Sequence, residues 1–400
     1  MADRLPVTVL SGFSGAGKTA LLDHVRAHAD GLRVAALADG PDLLTEVERL
    51  AQAGGHDAVI VETDASSEPL AIAELFAFED AHGHDDAGAG YRLDTLVTVV
   101  DAATLLRDWH DADFLADRGL AEAGDDRTVV DVLVEQIEGC DVLVLNHTDE
   151  ADADTLARAR ALLRALNPRA DLVETIRGAV PAAHVLDTGR FDVDTTFANT
   201  GWQLALRGEA LPAEDGIGAV VYRRRRPFHP QRFADLIHTE WMREHGDVLR
   251  SKGLFWLASR MDMAGDWAQA GGVCRPGGAG AWWASLDDTD WPQDADARAE
   301  IEAEMEDPFG DRRQELVLIG RDLDAAALSA LLDACLLTDA EVAEGPEAWA
   351  AYADPFPAWD DGHDHGDHGD HGDHDDHGHG HGDHDHDHDH DDQCGCGHAH

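Results

Sequence analysis

The sequence predicts an α/β fold, a doubly wound parallel sheet, followed by a smaller α+β domain and a histidine-rich tail. Three observations support this prediction. Short apolar runs alternate with segments of helical spacing over the first half of the chain, a pattern typical of parallel sheets whose strands are joined by helices. A second group of apolar runs begins at Gly216, after a stretch of weak periodicity. From Asp354 onward, aspartate, glycine and histidine replace most of the apolar residues.

Six apolar runs are expected to form the strands of the first sheet. Polar residues follow most of these runs, and in a parallel sheet they meet at the carboxyl edge, where ligands bind. The predicted strands are Leu5–Leu10, Arg33–Ala38, Ala58–Val61, Thr95–Val100, Asp141–Leu145 and Val173–Ile176. Helical spacing predicts helices over Ala20–Arg26, Leu43–Ala51, Val130–Ile137 and Asp152–Leu166.

Four segments make up the predicted domain organisation. Residues 1–185 form the first domain, 186–216 a connector, 217–340 the second domain and 355–400 the tail. The second domain is expected to contain strands over Gly216–Tyr222, Gly253–Ala258 and Gln314–Ile319, with helices over Pro230–Glu244 and Ala325–Leu336.

The chain is strongly acidic, with 81 Asp and Glu against 30 Lys and Arg and a net charge of −51. This balance argues against nucleic acids and anionic membrane surfaces as partners. No uncharged apolar run approaches the roughly 18 residues that a membrane-spanning helix needs, and the N-terminal residues lack the pattern of a secretory signal. The sequence therefore predicts a cytoplasmic protein.

The chain has five cysteines. This odd and scattered set is not expected to form a disulfide framework.

The strongest local motif is the segment from Gly12 to Thr19, which fits the phosphate-loop pattern Gly-x4-Gly-Lys-[Ser/Thr] in full. Glycines let backbone N–H groups converge on phosphate oxygens, and the following helix adds its dipole. Lys18 is predicted to act on the terminal phosphates as a catalytic residue, and the Thr19 hydroxyl is predicted to bind Mg²⁺. The predicted nucleotide-binding residues of this loop are Gly12, Gly15, Ala16, Gly17, Lys18, Thr19 and Ala20.

Two more polar segments follow predicted strands. Asn146-His-Thr-Asp149 resembles the Asn-Lys-x-Asp segment of GTPases, in which the aspartate accepts hydrogen bonds from guanine and the asparagine braces the loop. Histidine replaces the lysine whose stem covers the base, which predicts a reduced affinity for it; the alternative is a polar turn without a ligand. Glu62 follows the third predicted strand, where a carboxylate can hold a water molecule on Mg²⁺. Glu62 is therefore predicted as a second catalytic and magnesium-binding residue.

Together these segments make the chain similar to the CobW family of metal-chaperone GTPases, and in particular to its YciC/ZigA-type zinc-responsive branch. The resemblance covers about residues 1–355. It implies a P-loop NTPase domain and a CobW-type C-terminal domain. It also implies binding of GTP and delivery of Zn²⁺ to an apo-metalloprotein client under zinc limitation. The segments that carry it are Leu5–Phe13, Arg92–Asp101, Thr128–Gln136, Arg226–Pro230, Leu249–Gly253 and Gly310–Leu316.

The chain departs from that family at one functional segment. Family members place a Cys-x-Cys-Cys metal motif between the second and third strands, after a long switch-like segment. Here Ala38 runs through only four residues, 39–42, into the next helix, and no cysteine precedes Cys140. Ala65 also replaces a glycine in the turn after the third strand. Nucleotide binding is therefore better supported than hydrolysis, and we expect a GTPase of slow turnover.

The tail is the second strong signal, and it is expected to be disordered without metal. It contains 14 of the 25 histidines of the chain. Neutral imidazoles bind Zn²⁺, Ni²⁺ and Co²⁺, and nearby carboxylates lower the cost of bringing in a cation. The last seven residues supply two thiolates and two imidazoles, a Cys₂His₂ set that suits zinc. The predicted metal ligands are His363, His365, His384, His386, His388, His390, Cys394, Cys396, His398 and His400.

Three functions remain in competition at this point. The first is a GTP-binding zinc metallochaperone. The second is a metal buffer or store whose GTPase has decayed. The third is a nickel or cobalt chaperone, because histidine-rich tails also mark nickel-handling GTPases such as HypB and UreG.

Some residues are weaker candidates for metal binding. His82 and His84 are possible loop ligands, Cys274 is expected in an open segment, and Cys140 and Cys335 are expected in the core.

Overall fold

The first domain is built on a six-stranded parallel sheet in the order β2-β3-β1-β4-β5-β6. The computed structural model describes residues 4–81, 90–122, 124–192, 195–196, 200–212 and 214–359. The strands are β1 Leu5–Ser11, β2 Val34–Ala38, β3 Ala58–Glu62, β4 Tyr91–Asp101, β5 Val142–Asn146 and β6 Asp171–Glu174. The helices are α1 Lys18–Ala27, α2 Leu43–Ala53, α3 Pro69–Ala81, α4 Leu105–Trp109, α5 Val129–Glu138 and α6 Ala153–Leu166.

Burial explains why these segments form the central strands. Every residue of β1 and β5 is buried, as expected for parallel strands covered by helices on both faces. Helix α5 begins at a capping box: Asp131 N donates to the Thr128 hydroxyl, and Thr128 N donates to the Asp131 carboxylate at 2.8 Å. Asp152 caps α6 by accepting from Thr155 N. The predicted doubly wound sheet is thus confirmed.

The second domain contains a five-stranded antiparallel sheet in the order β10-β9-β8-β11-β7. Its strands are β7 Ile217–Arg224, β8 Asp247–Phe255, β9 Met263–Ala270, β10 Val273–Ala281 and β11 Gln314–Arg321. The later helices are α7 Gly201–Leu206, α8 Pro230–Ile237, α9 Trp241–Glu244, α10 Ala295–Ala303, α11 Ala325–Cys335, α12 Asp339–Glu344 and α13 Pro346–Trp349. A helical and antiparallel second domain agrees with the predicted α+β class.

Several predicted elements of the second domain differ from the structure. The helix expected over Pro230–Glu244 is two helices, because α8 ends at Ile237. Strand β8 begins at Asp247 rather than at Gly253. Strands β9 and β10 were not predicted. Pro276 and three glycines lower the strand propensity of β10, and the structure accommodates them at an edge of the sheet, where proline is tolerated.

The two sheets belong to one compact unit, Met1–Asp361. Leu249 and Ile319 of the second sheet lie in the same buried apolar cluster as the residues of α5. At this interface the guanidinium of Arg250 donates to the Glu138 carboxylate at 2.9 and 3.2 Å, and both side chains are largely buried. Trp109 Nε1 donates to Leu249 O at 3.1 Å. Apolar burial and polar contacts therefore both join the sheets.

The last residues that the structure describes pack on the second domain. The ring of Phe356 lies 5.9 Å from that of Phe233 and 6.1 Å from that of Phe255. The remainder of the predicted tail, with all of its proposed metal ligands, lies outside the described residues, as do His82 and His84. None of the helices in the described ranges has the length and apolar character that crossing a lipid bilayer requires.

Candidate functional site

Polar residues from four neighbouring strands meet at one edge of the parallel sheet. Strand β1 leads into the glycine-rich loop, and its neighbour β3 ends at Glu62, which pairs with Leu10. On the other side, Asp101 at the end of β4 pairs with Asn146 at the end of β5. The carboxyl ends of these strands therefore bring the predicted segments together, as expected for a ligand site in such a sheet.

The loop between β1 and α1 requires glycine at two positions. Gly12 has a φ of 144°, and a Cβ there would lie 2.3 Å from the carbonyl oxygen of Val99. Gly17 has a φ of 100°, and a Cβ there would lie 2.3 Å from Asn146 Nδ2. Both the left-handed backbone and the close neighbours exclude other residues. The loop is thus shaped by its packing against the strands beside it.

Lys18 lies half-buried at the start of α1, and its ammonium donates to the carbonyl oxygen of Gly12. Burial lowers the pKa of Lys18, and the carboxylates of Glu62, Asp64 and Asp39 act in the opposite direction. The Thr19 hydroxyl donates to Glu62 Oε1 at 2.5 Å. Hydroxyl and carboxylate oxygens are the ligands that Mg²⁺ prefers. Thr19 and Glu62 therefore fit a magnesium site beside the lysine.

Asn146 connects the phosphate loop to a segment that the sequence did not reveal as part of the site. Its side chain is fully buried. Asn146 Nδ2 donates to Ala16 O at 2.9 Å, and its Oδ1 accepts from Gly178 N at 3.0 Å. The predicted bracing role of this asparagine agrees with these contacts. Residues 175 and 176 were expected in the last strand, but β6 ends at Glu174, so residues 175–178 form the segment that follows it.

The turn that follows Asn146 presents an exposed carboxylate. His147 has a φ of 55°, its Nδ1 lies 3.1 Å from Asp101 Oδ2, and its ring lies beside Gly17. Asp149 follows and is exposed. The hydroxyl of Thr148 donates to Thr175 O at 3.1 Å, which holds this turn against residues 175–178. Ile176 of that segment is exposed.

The segment 63–68, which we call the β3 loop, is held by side chains from two sides. Asp64 N donates to the Asp39 carboxylate at 3.1 and 3.2 Å, and the Ser67 hydroxyl donates to it at 2.6 Å. Gln136 of α5 donates to backbone carbonyls of the same loop. Asp39 itself lies in the four-residue connection between β2 and α2. The structure thus agrees with the predicted absence of a long segment here.

The three cysteines of the described residues belong to no group of three or more metal-ligating side chains. Burial raises the pKa of Cys140 to about 12 and that of Cys335 to about 11, so both thiols stay protonated in the core, as predicted. Cys274 lies on the edge strand β10 and is half-buried, more open than the other two as expected, and burial raises its pKa to about 12. Across the described ranges no three His, Cys, Asp or Glu side chains are grouped to hold a metal ion.

Two family models match the chain. The nucleotide-binding domain of CobW/HypB/UreG matches residues 6–40 and 38–174. The C-terminal domain of the cobalamin synthesis protein cobW matches residues 217–336. The first match falls into two pieces that meet at the short connection between β2 and α2, which is consistent with a deletion at that point.

Curated relatives match over most of their length. Zinc-regulated GTPase metalloprotein activator 1 of Dictyostelium discoideum is 34% identical over 401 residues, which cover 88% of this chain and 84% of the relative. A zinc chaperone of Mycobacterium tuberculosis is 31% identical over 332 residues, which cover 80% and 76%. Among solved structures, the Zn(II)-bound YjiA GTPase from E. coli is 16% identical with a TM-score of 0.34, over 84% of this chain and 100% of that one.

Proposed function

The chain belongs to the CobW family, and we propose that it is a GTP-binding zinc metallochaperone that collects Zn²⁺ and delivers it to an apo-metalloprotein client. The observation that carries the nucleotide half of this proposal is the contact of Asn146 with both the phosphate loop and residues 175–178. This contact joins a phosphate site to the turn that bears Asp149. The names of the relatives, one a zinc-regulated GTPase metalloprotein activator and one a zinc chaperone, support zinc as the cargo.

Each residue of the site has a proposed role. Backbone N–H groups of the phosphate loop bind the phosphates together with the N-terminus of α1, and Lys18 neutralises the terminal phosphate. Thr19 and Glu62 would hold Mg²⁺, which neutralises charge on the phosphates when it is bound. Asp149 accepts hydrogen bonds from guanine. The proposed phosphate-binding residues are Gly12, Gly15, Ala16, Gly17, Lys18, Thr19 and Ala20.

Zinc binding is assigned to the tail. The described residues offer no preformed cluster of ligands, whereas residues 363–400 carry 14 histidines and two cysteines. Thiolate and imidazole ligands favour Zn²⁺ over hard cations. We propose Cys394, Cys396, His398 and His400 as the tightest set, with the histidines from His363 to His390 as additional ligands.

A metal buffer with a degenerate GTPase is the second candidate. The short connection between β2 and α2 favours it, because little is left in that region to close over a terminal phosphate. In a buffer, zinc affinity would not depend on the nucleotide. A nickel or cobalt chaperone is the third candidate. Against it, the names of both curated relatives described above contain zinc.

Guanine selection by Asp149 provides the test of the nucleotide site. Asp149→Asn should reduce the preference for GTP over ITP, which lacks the 2-amino group, by roughly tenfold, because the 2-amino group loses its acceptor. Glu150→Gln removes the same charge from the neighbouring exposed residue and should leave the preference unchanged. Competition against a fluorescent guanine nucleotide measures both. An unchanged preference in Asp149→Asn would remove Asp149 from the site.

A further inference from the structure

Two side chains at the first domain's helix α5 hold the backbone of the β3 loop. Gln136 is fully buried, and its Nε2 donates to Ala65 O at 3.0 Å and to Ser67 O at 3.2 Å. Arg127, just before α5, donates to Ser66 O at 3.2 Å and to the Glu68 carboxylate at 2.8 Å. Three consecutive carbonyl groups of the loop are therefore bound from the same side.

The amide of Gln136 is not explained by packing alone. Its Oε1 is buried without a hydrogen-bonding partner in the described structure, and burying an unpaired polar atom is destabilising. Reversing the amide would place this oxygen against two carbonyl oxygens of the loop, which is worse. A methionine of similar length would avoid the unpaired atom altogether. What the glutamine provides is its pair of hydrogen bonds to the β3 loop.

Helix α5 also contacts the second domain. Asp131 accepts from Arg275 Nε at 2.9 Å and from its Nη2 at 2.7 Å, and Arg275 lies on β10. Between this helix and the second sheet lies a cavity of about 480 Å³ lined by charged residues, among them Glu135 and Lys252. A movement of α5 would therefore be transmitted to β10 through an ion pair and would have space to occur.

We propose that Gln136 is a positioning residue that places the β3 loop for the terminal phosphate of the nucleotide, and that α5 links this loop to β10. The inference rests on the proposed function, since it requires a nucleotide at the phosphate loop. The β3 loop directly follows Glu62, whose carboxylate accepts from Thr19. A group bound at Thr19 and Glu62 thus acts on the β3 loop, and through Gln136 and Arg275 on the second domain.

The first test compares two buried glutamines. Gln136→Met should lower the affinity for a non-hydrolysable GTP analogue about tenfold, because a β3 loop freed from these hydrogen bonds must be ordered when the terminal phosphate binds, while the affinity for GDP stays within about twofold. Gln314 is equally buried and donates to Trp256 O at 2.8 Å and to Arg226 O at 3.0 Å in the second domain. Gln314→Met should therefore destabilise the protein without changing the ratio of the two affinities. An unchanged ratio in Gln136→Met overturns the positioning role.

The second test uses hydrogen–deuterium exchange of the full chain. Peptides covering residues 273–281 should exchange differently with the GTP analogue than with GDP in the wild type, and alike in Gln136→Met. Arg275→Met, which removes a half-exposed side chain, should abolish this difference and keep the ratio of affinities. It remains informative if Gln136→Met does not fold.

Three outcomes separate this inference from the proposed function. A nucleotide-dependent difference that persists in Arg275→Met overturns the link through α5. A wild type that binds GDP but shows no difference in residues 273–281 overturns the link alone. A wild type that binds neither GDP nor GTP overturns the proposed function, and the inference with it.

Discussion

The two lysines of the chain, Lys18 and Lys252, lie in unlike surroundings. Lys252 forms an ion pair with Asp266 at 2.8 Å. Lys18 instead donates to a backbone carbonyl, and burial lowers its pKa in spite of three neighbouring carboxylates. A partly desolvated ammonium that is not hydrogen-bonded to a carboxylate is well placed to receive a phosphate, because its interaction with an anion is less screened than at the surface.

Lys18→Met should therefore reduce GTP affinity by at least about tenfold, since one charge-assisted contact to phosphate is lost. Lys252→Met is the matched control and should leave GTP affinity unchanged, because its partner lies in the second domain. Titration with a fluorescent GTP derivative measures both variants. Equal affinities of wild type and Lys18→Met would exclude the phosphate-binding role.

Glu135 predicts a pH dependence of stability. Burial, followed by repulsion from Glu68, raises the pKa of Glu135 from 4.5 to about 7. The folded state therefore retains this proton longer than the unfolded state, and the free energy of unfolding decreases as pH rises from about 4.5 to about 7. Above this window, Glu135→Gln should be more stable than the wild type by about 1–2 kcal/mol.

Denaturant unfolding at pH 5 and pH 8 checks this prediction. The gain from Glu135→Gln should be clear at pH 8 and smaller at pH 5, near the lower end of this window, where the wild-type carboxyl is mostly protonated in the folded state. Glu150→Gln, at an exposed position, should show no such dependence. A gain of the same size at both pH values would mean that burial of the charge is not the cause.

At the scale of elements, local patterns made the parallel sheet predictable. The strands before Glu62 and Asn146 are apolar runs that end in polar residues, and both appear as predicted. The strands of the second domain were harder to predict from sequence. Strand β10 contains a proline and several glycines, and its pairing with β9 holds it in the sheet. Likewise, helix α8 ends at Ile237 although no proline or glycine marks that end. Tertiary contacts override local propensity at these points.

The same distinction applies to the candidate site. The phosphate loop and Glu62 lie in short segments whose residue pattern predicts phosphate and metal contacts. The base contact of Asp149 is implied by the resemblance of residues 146–149 to the GTPase segment. Gln136 contacts the site across 69 to 71 residues of sequence, and its amide lies in a helix whose pattern predicts only a buried face. Contacts of this kind arise from the packing of α5 and leave no local signature.

The short connection between β2 and α2 predicts slow hydrolysis. Only four residues join these elements, so this region supplies no segment to close over a terminal phosphate, and phosphoryl transfer depends on positioning. We expect turnover of GTP well below about 1 per second. Release of inorganic phosphate by the purified protein measures it. A faster rate without added zinc would indicate that other residues complete the site.

At the scale of the whole molecule, the negative charge and the histidine content both favour the binding of cations. The net charge is −51, and such a field raises the local concentration of divalent ions. Arginines of the second domain are largely neutralised: Arg224 pairs with Asp333 and Arg226 with Asp339, each at 2.8 Å. On the proposed function, the histidines of the tail provide the imidazole ligands for Zn²⁺ that acidic residues alone do not offer.

Removal of the tail should separate the two activities. A chain that ends at Asp361 keeps both sheets and should bind GTP as the full chain does, while it loses most of the bound zinc. Zinc binding by the full chain should weaken steeply below about pH 6, where imidazoles become protonated. Isothermal titration with ZnCl₂ measures stoichiometry and affinity. Full stoichiometry in the shortened chain would place the zinc site within residues 1–361.

Dependence of zinc affinity on the bound nucleotide tests the central claim most directly. The measurement is the dissociation constant for Zn²⁺ of the full chain saturated with a non-hydrolysable GTP analogue, compared with the same chain saturated with GDP. A chaperone that uses GTP to collect and release zinc must show a difference, and we expect at least about fivefold, the lower end of common coupling between two sites. Equal zinc affinities in the two states would contradict a nucleotide-coupled chaperone and would favour the metal buffer.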